Sequence, residues 1–95
     1  MPKAYVLARA VVTDPVRWAA YAAAATPVMA SFGGAPIVRG GRCEVVEGEG
    51  RARNAILAFP SYEDAQAYVR SEAYAAARLK REGAGTIDMV VAEGV

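Results

Sequence analysis

The stretch Lys3-Ala-Tyr-Val-Leu-Ala-Arg-Ala-Val-Val12 decides the fold. Successive side chains of an extended strand point to opposite faces, so Val6, Ala8, Ala10 and Val12 share one face and Tyr5, Leu7, Arg9 and Val11 the other. Apart from Arg9, both faces are apolar. An antiparallel sheet with one face in water alternates apolar and polar residues, and this strand does not. Three later strand-like stretches share the same two-sided character, yet the chain has enough helix to cover only one face. The uncovered face is therefore expected to pack on a second copy, giving a homodimer through the sheet face.

Working outward, Thr13-Asp14-Pro15 reads as a helix start, with Asp14 as N-cap and Pro15 in the first turn. Trp18, Tyr21, Ala22, Ala25, Val28, Met29 and Phe32 then recur at helical spacing to about residue 32. Pro27 removes one donor from this helix and predicts a kink or short break. Gly33-Gly34 ends it. Ala35 to about Glu47 reads as a second strand with Gly40-Gly41 in its middle, a pattern that suggests a bulge or a close approach. Gly48-Glu49-Gly50 turns the chain into a third strand, Arg51–Phe59. Ser61 and Asp64 resemble a capping box, with Asp in place of the usual Glu or Gln. The second helical region spans about 62–82, with Ala65, Tyr68, Val69, Tyr74, Ala77 and Leu79 as inward candidates. Ser71-Glu72 within it reads as a fresh N-cap, predicting two short helices. Thr86–Glu93 is the last strand, with Asp88 the polar exception on its second face.

The order is strand–helix–strand, turn, strand–helix–strand. It predicts an α+β fold of ferredoxin-like βαββαβ plan, a four-stranded antiparallel sheet with the helices on one face. Residues 1–95 are expected to form a single domain.

Composition narrows the function classes. Hydrophobic residues make up 55% of the 95 residues, above the globular average of roughly 45–50%, which fits a core extended across an interface. Eleven basic and ten acidic residues are interspersed, with a formal charge of +1, so no nucleic-acid stripe or polybasic membrane patch is present. No stretch reads as a membrane span or signal peptide, and the lone Cys43 has no partner for an internal disulfide. A cytoplasmic location is expected. The chain has no histidine, which removes the commonest metal ligand and the usual general base. With no carboxylate cluster at ligand spacing, neither a metal nor a cofactor is expected.

The ordered series Val-Thr-Asp-Pro at 12–15, Tyr21, Phe-Gly-Gly at 32–34, Val-Arg-Gly-Gly at 38–41, Glu44-Val-Val-Glu-Gly48, Phe-Pro-Ser at 59–61, Ser71-Glu-Ala-Tyr74 and Val-Val-Ala-Glu-Gly94 resembles domain-of-unknown-function family 1330, within the dimeric α+β barrel superfamily. The resemblance covers nearly the whole chain. It implies a homodimer whose two sheets pack face to face into a barrel. The superfamily also contains cofactor-independent quinone-forming monooxygenases, muconolactone isomerase-like proteins and haem-degrading or chlorite-dismutating enzymes, but the family itself brings no reaction to transfer. Many relatives have histidine just after the Arg-Gly-Gly series, where this chain has Cys43. A mechanism resting on an imidazole there, or on haem iron held by histidine, is disfavoured.

Arg39 is the leading site candidate. It stands among apolar neighbours and immediately before two glycines, and a forked, always-charged donor there suits a carboxylate, enolate or phosphate. Its alternative is a structural pair with Glu44, Glu47 or Asp88. Arg9 could reach the same cavity or pair with a carboxylate of the partner subunit. Trp18 and Tyr21, with Tyr5, Tyr68 and Tyr74, could wall an aromatic pocket between helices and sheet or be plain core; a buried phenol needs a hydrogen-bond partner. Asp14 and Ser71 read as caps, Asp14 with a minor alternative as a general base, and Cys43 as a half-buried small hydrophobe. These residues support two functions: a dimer binding a small anionic or aromatic metabolite at Arg39, Tyr21, Trp18, Tyr74 and Arg9, or a cofactor-independent isomerase or monooxygenase-like enzyme in which Arg39 stabilises negative charge.

Overall fold

In the computed structural model, which describes residues 2–95, the opening stretch is extended over Ala4–Val12 (β1) and passes at once into a helix over Pro15–Ser31 (α1). The Asp14 side chain accepts a hydrogen bond from the Arg17 amide at 3.1 Å, so Asp14 is the cap its position implied. The helix runs unbroken through Pro27; the expected break does not occur, because the carbonyl deprived of a donor belongs to Ala23 on the exposed side. Phe32 caps the other end. The Gly33 amide donates to the Ala30 carbonyl and the Gly34 amide to that of Met29, both at 3.0 Å. This is the Schellman arrangement, and it needs the left-handed backbone of Gly33 (φ +81°).

The next strand, Ala35–Arg39 (β2), is far shorter than its sequence suggested. Its partner is Arg53–Phe59 (β3). The Gly40 amide still reaches the Asn54 carbonyl at 2.8 Å, but at φ +68° the backbone turns away and pairing stops. Residues 40–52 form a connection outside the sheet, so Gly40-Gly41 ends β2 and does not interrupt it. The register shift lies instead between Pro36 and Val38, where proline has no amide to give. Cys43 is consequently exposed in this connection rather than half-buried in a strand.

Tyr62–Arg70 (α2) and Glu72–Leu79 (α3) confirm the two short helices, each capped by a serine. Ser61 accepts from the Asp64 amide at 3.1 Å, and the Asp64 carboxylate, in place of returning a bond to the backbone, accepts one from the Ser61 hydroxyl at 2.9 Å. Ser71 caps α3 through the Tyr74 amide at 3.0 Å. Leu79 is 65% exposed and not an inward residue. At about 100° per residue it lies roughly 200° around the helix from buried Ala77.

Gly85–Glu93 (β4) closes an antiparallel sheet of order β2-β3-β1-β4. This is the expected ferredoxin-like α+β arrangement. Ala4, Val6 and Ala10 of β1 and Phe59 of β3 face the helices and are buried. On the opposite face Tyr5, Leu7 and Ile56 are half-buried, while Val11 and Val90 are exposed. Arg51 ends over that face, paired with Asp88 at 2.6 Å and with the Thr86 hydroxyl at 3.0 Å. Among the described residues no helix is long and apolar enough to cross a membrane.

Two glycines of the fold are predicted to respond oppositely to a methyl group. Gly85, opposite Val12 in the β1–β4 ladder, has φ +152°, and a Cβ there would overlap the Val11 carbonyl oxygen. Gly41 has nothing within 4 Å of the same position. Gly85→Ala should cost ~2 kcal/mol or more and Gly41→Ala less than ~0.5 kcal/mol, as read from urea denaturation midpoints.

Candidate functional site

The helices do not cover the sheet evenly. α2 packs directly on β1, β3 and β4, whereas α1 packs chiefly on α3 and stands off from the strands. The gap beneath α1 is a cavity of about 140 Å³. Its floor is built where the register sets Ala8 of β1 beside Ala55 of β3, with Ala10 two residues along. Its roof includes Ala22 and Ala25 of α1. Small side chains meet from both sides, and the volume they leave is closed by larger apolar groups, Met29, Leu57, Ile87 and Met89 among them.

Aromatic side chains wall the deep side. Trp18 and Tyr21, three residues apart on α1, meet edge to face with centroids 5.6 Å apart. Tyr21 meets Tyr74 of α3 at 6.2 Å, Tyr74 meets Tyr68 of α2 at 4.8 Å, and Tyr68 stacks on Phe59 at 5.2 Å. The Tyr21 and Tyr74 hydroxyls are 2.8 Å apart, and the Tyr74 hydroxyl lies 3.6 Å from Met89 Sδ. A thioether only accepts, so a relay in which Tyr21 donates to Tyr74 and Tyr74 to sulfur satisfies both phenols without a phenolate.

Electrostatics reinforce that state. Burial, with further contributions from Tyr74 and then Tyr68, raises the Tyr21 phenol well above its ordinary value, with Arg81 opposing. Burial and then Tyr74 raise Tyr68, again against Arg81. The Arg81 guanidinium lies 4.8 Å from the Tyr21 ring centroid and 5.8 Å from that of Trp18. Burial works against its charge, but the Tyr74 and Tyr21 hydroxyls outweigh it and raise its pKa. Its Nε is buried without a hydrogen-bond partner. The Tyr21 and Tyr68 phenols are thus held neutral at ordinary pH and are not bases.

Of the residues singled out in the sequence, Trp18, Tyr21, Tyr68 and Arg39 line the cavity, and Tyr74 joins it through Tyr21 and Met89. Arg9 does not: strand alternation sets it on the opposite face, between Asn54 and Asp88 in the register. Tyr5 is on that opposite face too and cannot join the aromatic wall. Arg39 forms none of the pairs considered for it, and Asp88 is taken by Arg51. Asp14, as a cap, lies outside the lining. Sequence reasoning missed Arg53, which lines the cavity from β3, and Arg81. Alternation along Arg53-Asn-Ala-Ile-Leu57 put Arg53 on the same face as Leu57 and was the one available signal for it; nothing local marked Arg81. Among the described residues no group of three or more Cys, Asp or Glu side chains is placed to hold a metal.

A family model described as a domain of unknown function, DUF1330, matches residues 3–95. The chain belongs to the DUF1330 family. No curated protein sequence matches it. Among solved structures, this DUF1330 chain is similar to a protein of unknown function from Rhodopseudomonas palustris, with 18% identity over 99% of this chain and 83% of that one and a TM-score of 0.76. A dimeric protein of unknown function and ferredoxin-like fold from Bacteroides fragilis shares 13% identity over 97% and 96% of the two chains, at a TM-score of 0.62. SnoaB, a cofactor-independent oxygenase from Streptomyces nogalater, shares 7% identity over 100% and 95%, at 0.63. At these identities the likeness is one of fold.

The raised phenols predict a pH dependence for DUF1330 stability. Below the ordinary tyrosine pKa of 10.0 folded and unfolded chains both carry neutral phenols, and stability is complete. As pH rises above it, the unfolded chain ionises first, so stability falls. Of five tyrosines, Tyr21 and Tyr68 should form phenolate only as the chain unfolds, as followed by ultraviolet absorbance. Tyr21→Phe should cost about 1 kcal/mol at neutral pH and flatten the alkaline slope of the denaturation midpoint.

Proposed function

We propose that this DUF1330 protein is a homodimer that binds a small anionic or aromatic metabolite between sheet and helices. The observation that carries the reading is the cavity beneath α1. At about 140 Å³ it matches the roughly 150 Å³ of an apolar protein cavity known to admit benzene, and aromatic rings wall one side of it. A ligand with one ring, or a branched chain of similar bulk, fits that volume.

Assembly is supported by the other face of the sheet. Ile56, Leu7 and Val90 form one apolar row across this face next to Tyr5, and Val11 lies beyond the polar row of Asn54, Arg9 and Asp88. A second sheet laid on this face removes the apolar row from water. The Bacteroides fragilis neighbour is described as dimeric, which supports a dimer here without specifying its interface. The free, exposed Cys43 supports a reducing, cytoplasmic setting.

A second reading, a cofactor-independent isomerase or monooxygenase-like enzyme in which Arg39 stabilises developing negative charge, is favoured by Arg39 at the cavity and by the oxygenase SnoaB among the structural neighbours. The raised pKa values of Tyr21 and Tyr68 point away from either serving as a tyrosinate base in such a reaction.

Two measurements test the main reading. Native mass spectrometry should give twice the 10.0 kDa chain mass, and Val90→Glu should shift it to the monomer; a wild-type monomer at micromolar concentration refutes the dimer. Toluene should shift the labelled methyl signals of Met29 and Met89, which both line the cavity, and Ala55→Leu should abolish the shifts by filling the space. Methyl signals indifferent to toluene would mean the cavity admits no ligand.

A further inference from the structure

We propose that the cavity mouth is a carboxylate site, in which Arg39 and Arg53 together hold the acid group of a one-ring organic acid whose apolar body lies on the alanine floor. The inference rests on the ligand-binding reading above and specifies its ligand class. Arg39 is opposite Ala55 in the β2–β3 register, and Arg53 is two residues from Ala55 on the same face. The two are therefore diagonal neighbours, about 7–8 Å apart at their bases. The Arg53 guanidinium lies over Gly40: its Nη1 is 3.0 Å, and its Cζ 3.2 Å, from where a side chain on Gly40 would begin. Gly40 both ends β2 and leaves the Arg53 guanidinium a bed beside Arg39.

No acid neutralises this pair. Among the described residues the ion pair present joins Arg51 and Asp88 on the far face of the sheet. Arg39 is exposed and Arg53 half-buried, so both guanidinium groups remain open to a ligand arriving from solvent. Beside a cavity of apolar and aromatic lining the pair has a chemical use. Two guanidinium forks supply paired donors to both oxygens of a carboxylate, and the neighbouring cavity takes one ring. A phosphate or sulfate alone would engage the arginines but leave the cavity empty, so an acid with an apolar body uses the site more fully.

The test compares benzoate with its uncharged near-isostere benzamide, and with toluene, in titrations followed by the Met29 and Met89 methyl signals. Benzoate should bind roughly tenfold or more tightly than benzamide, and added salt should weaken benzoate but not benzamide. Arg39→Gln and Arg53→Gln should each bring benzoate down towards the benzamide affinity while toluene binding persists. Equal affinity for benzoate and benzamide, or a benzoate preference that survives both substitutions, overturns the carboxylate site and leaves the cavity reading standing. Shifts with toluene but with neither polar probe have the same consequence. Silence with all three probes overturns both.

Discussion

Tyr74 is where the helical layer is tied together. It is 1% exposed, its ring lies between Tyr68 of α2 and Tyr21 of α1, and its hydroxyl meets both Tyr21 and Met89 of β4. Burying a ring of this size contributes roughly 2–3 kcal/mol, but its position matters more. Because Tyr21 is bonded to α3, α1 is drawn sideways against that helix and not down onto the strands. The gap between α1 and the sheet follows from that choice of partner, and alanines on both sides keep it from closing. Arg81 completes the anchorage by lying over the Tyr21 and Trp18 rings, where a cation gains from the ring faces. Its unpartnered Nε lies at the seam between α1 and α3, and the ring contacts compensate it only in part.

The sheet imposes the other constraint. Strand period two forces each residue to one face, so the helix side and the open side are separate inventories with no exchange between them. This is why Arg9 and Arg39, which look equivalent as isolated arginines among apolar neighbours, have unrelated surroundings. It is also why two-sided apolar strands were informative: a strand such as β1 has no solvated face to offer, whatever its partners are.

The fold was legible because its signals are local. Asp14-Pro15, Gly33-Gly34, Ser61 and Ser71 mark helix ends by chemistry that operates within a few residues, and each marks an end in the structure. The errors arose where a distant partner decides. β2 stops at Arg39 because Gly40 turns away and β3 starts at Arg53, although Glu44-Val-Val-Glu47 has strand-like composition. Leu79 is apolar yet outside the stripe, since Tyr74 and Ala77 mark the buried face of α3 and Leu79 turns away from it. Trp18, Tyr21 and Tyr74 were recoverable from helical spacing and from the need of buried phenols for partners. Arg53 was within reach of strand alternation, but Arg81 was not, because its place over two rings of α1 depends on how α3 docks.

A site made of missing atoms leaves little trace in a sequence. Ala8, Ala10, Ala22, Ala25 and Ala55 read individually as ordinary helix and strand residues; only the register and the standoff of α1 show that their small size accumulates in one place. What gives that space a polarity is equally indirect. Within the aromatic wall the Tyr21 and Tyr74 hydroxyls are bonded to each other and to Met89, so that part of it offers ring surface. The charge is at the other end, in two guanidinium groups held on one face without an acid. The proposed ligand, an apolar body with a single anionic terminus, follows from these two ends taken together, more than from any single residue.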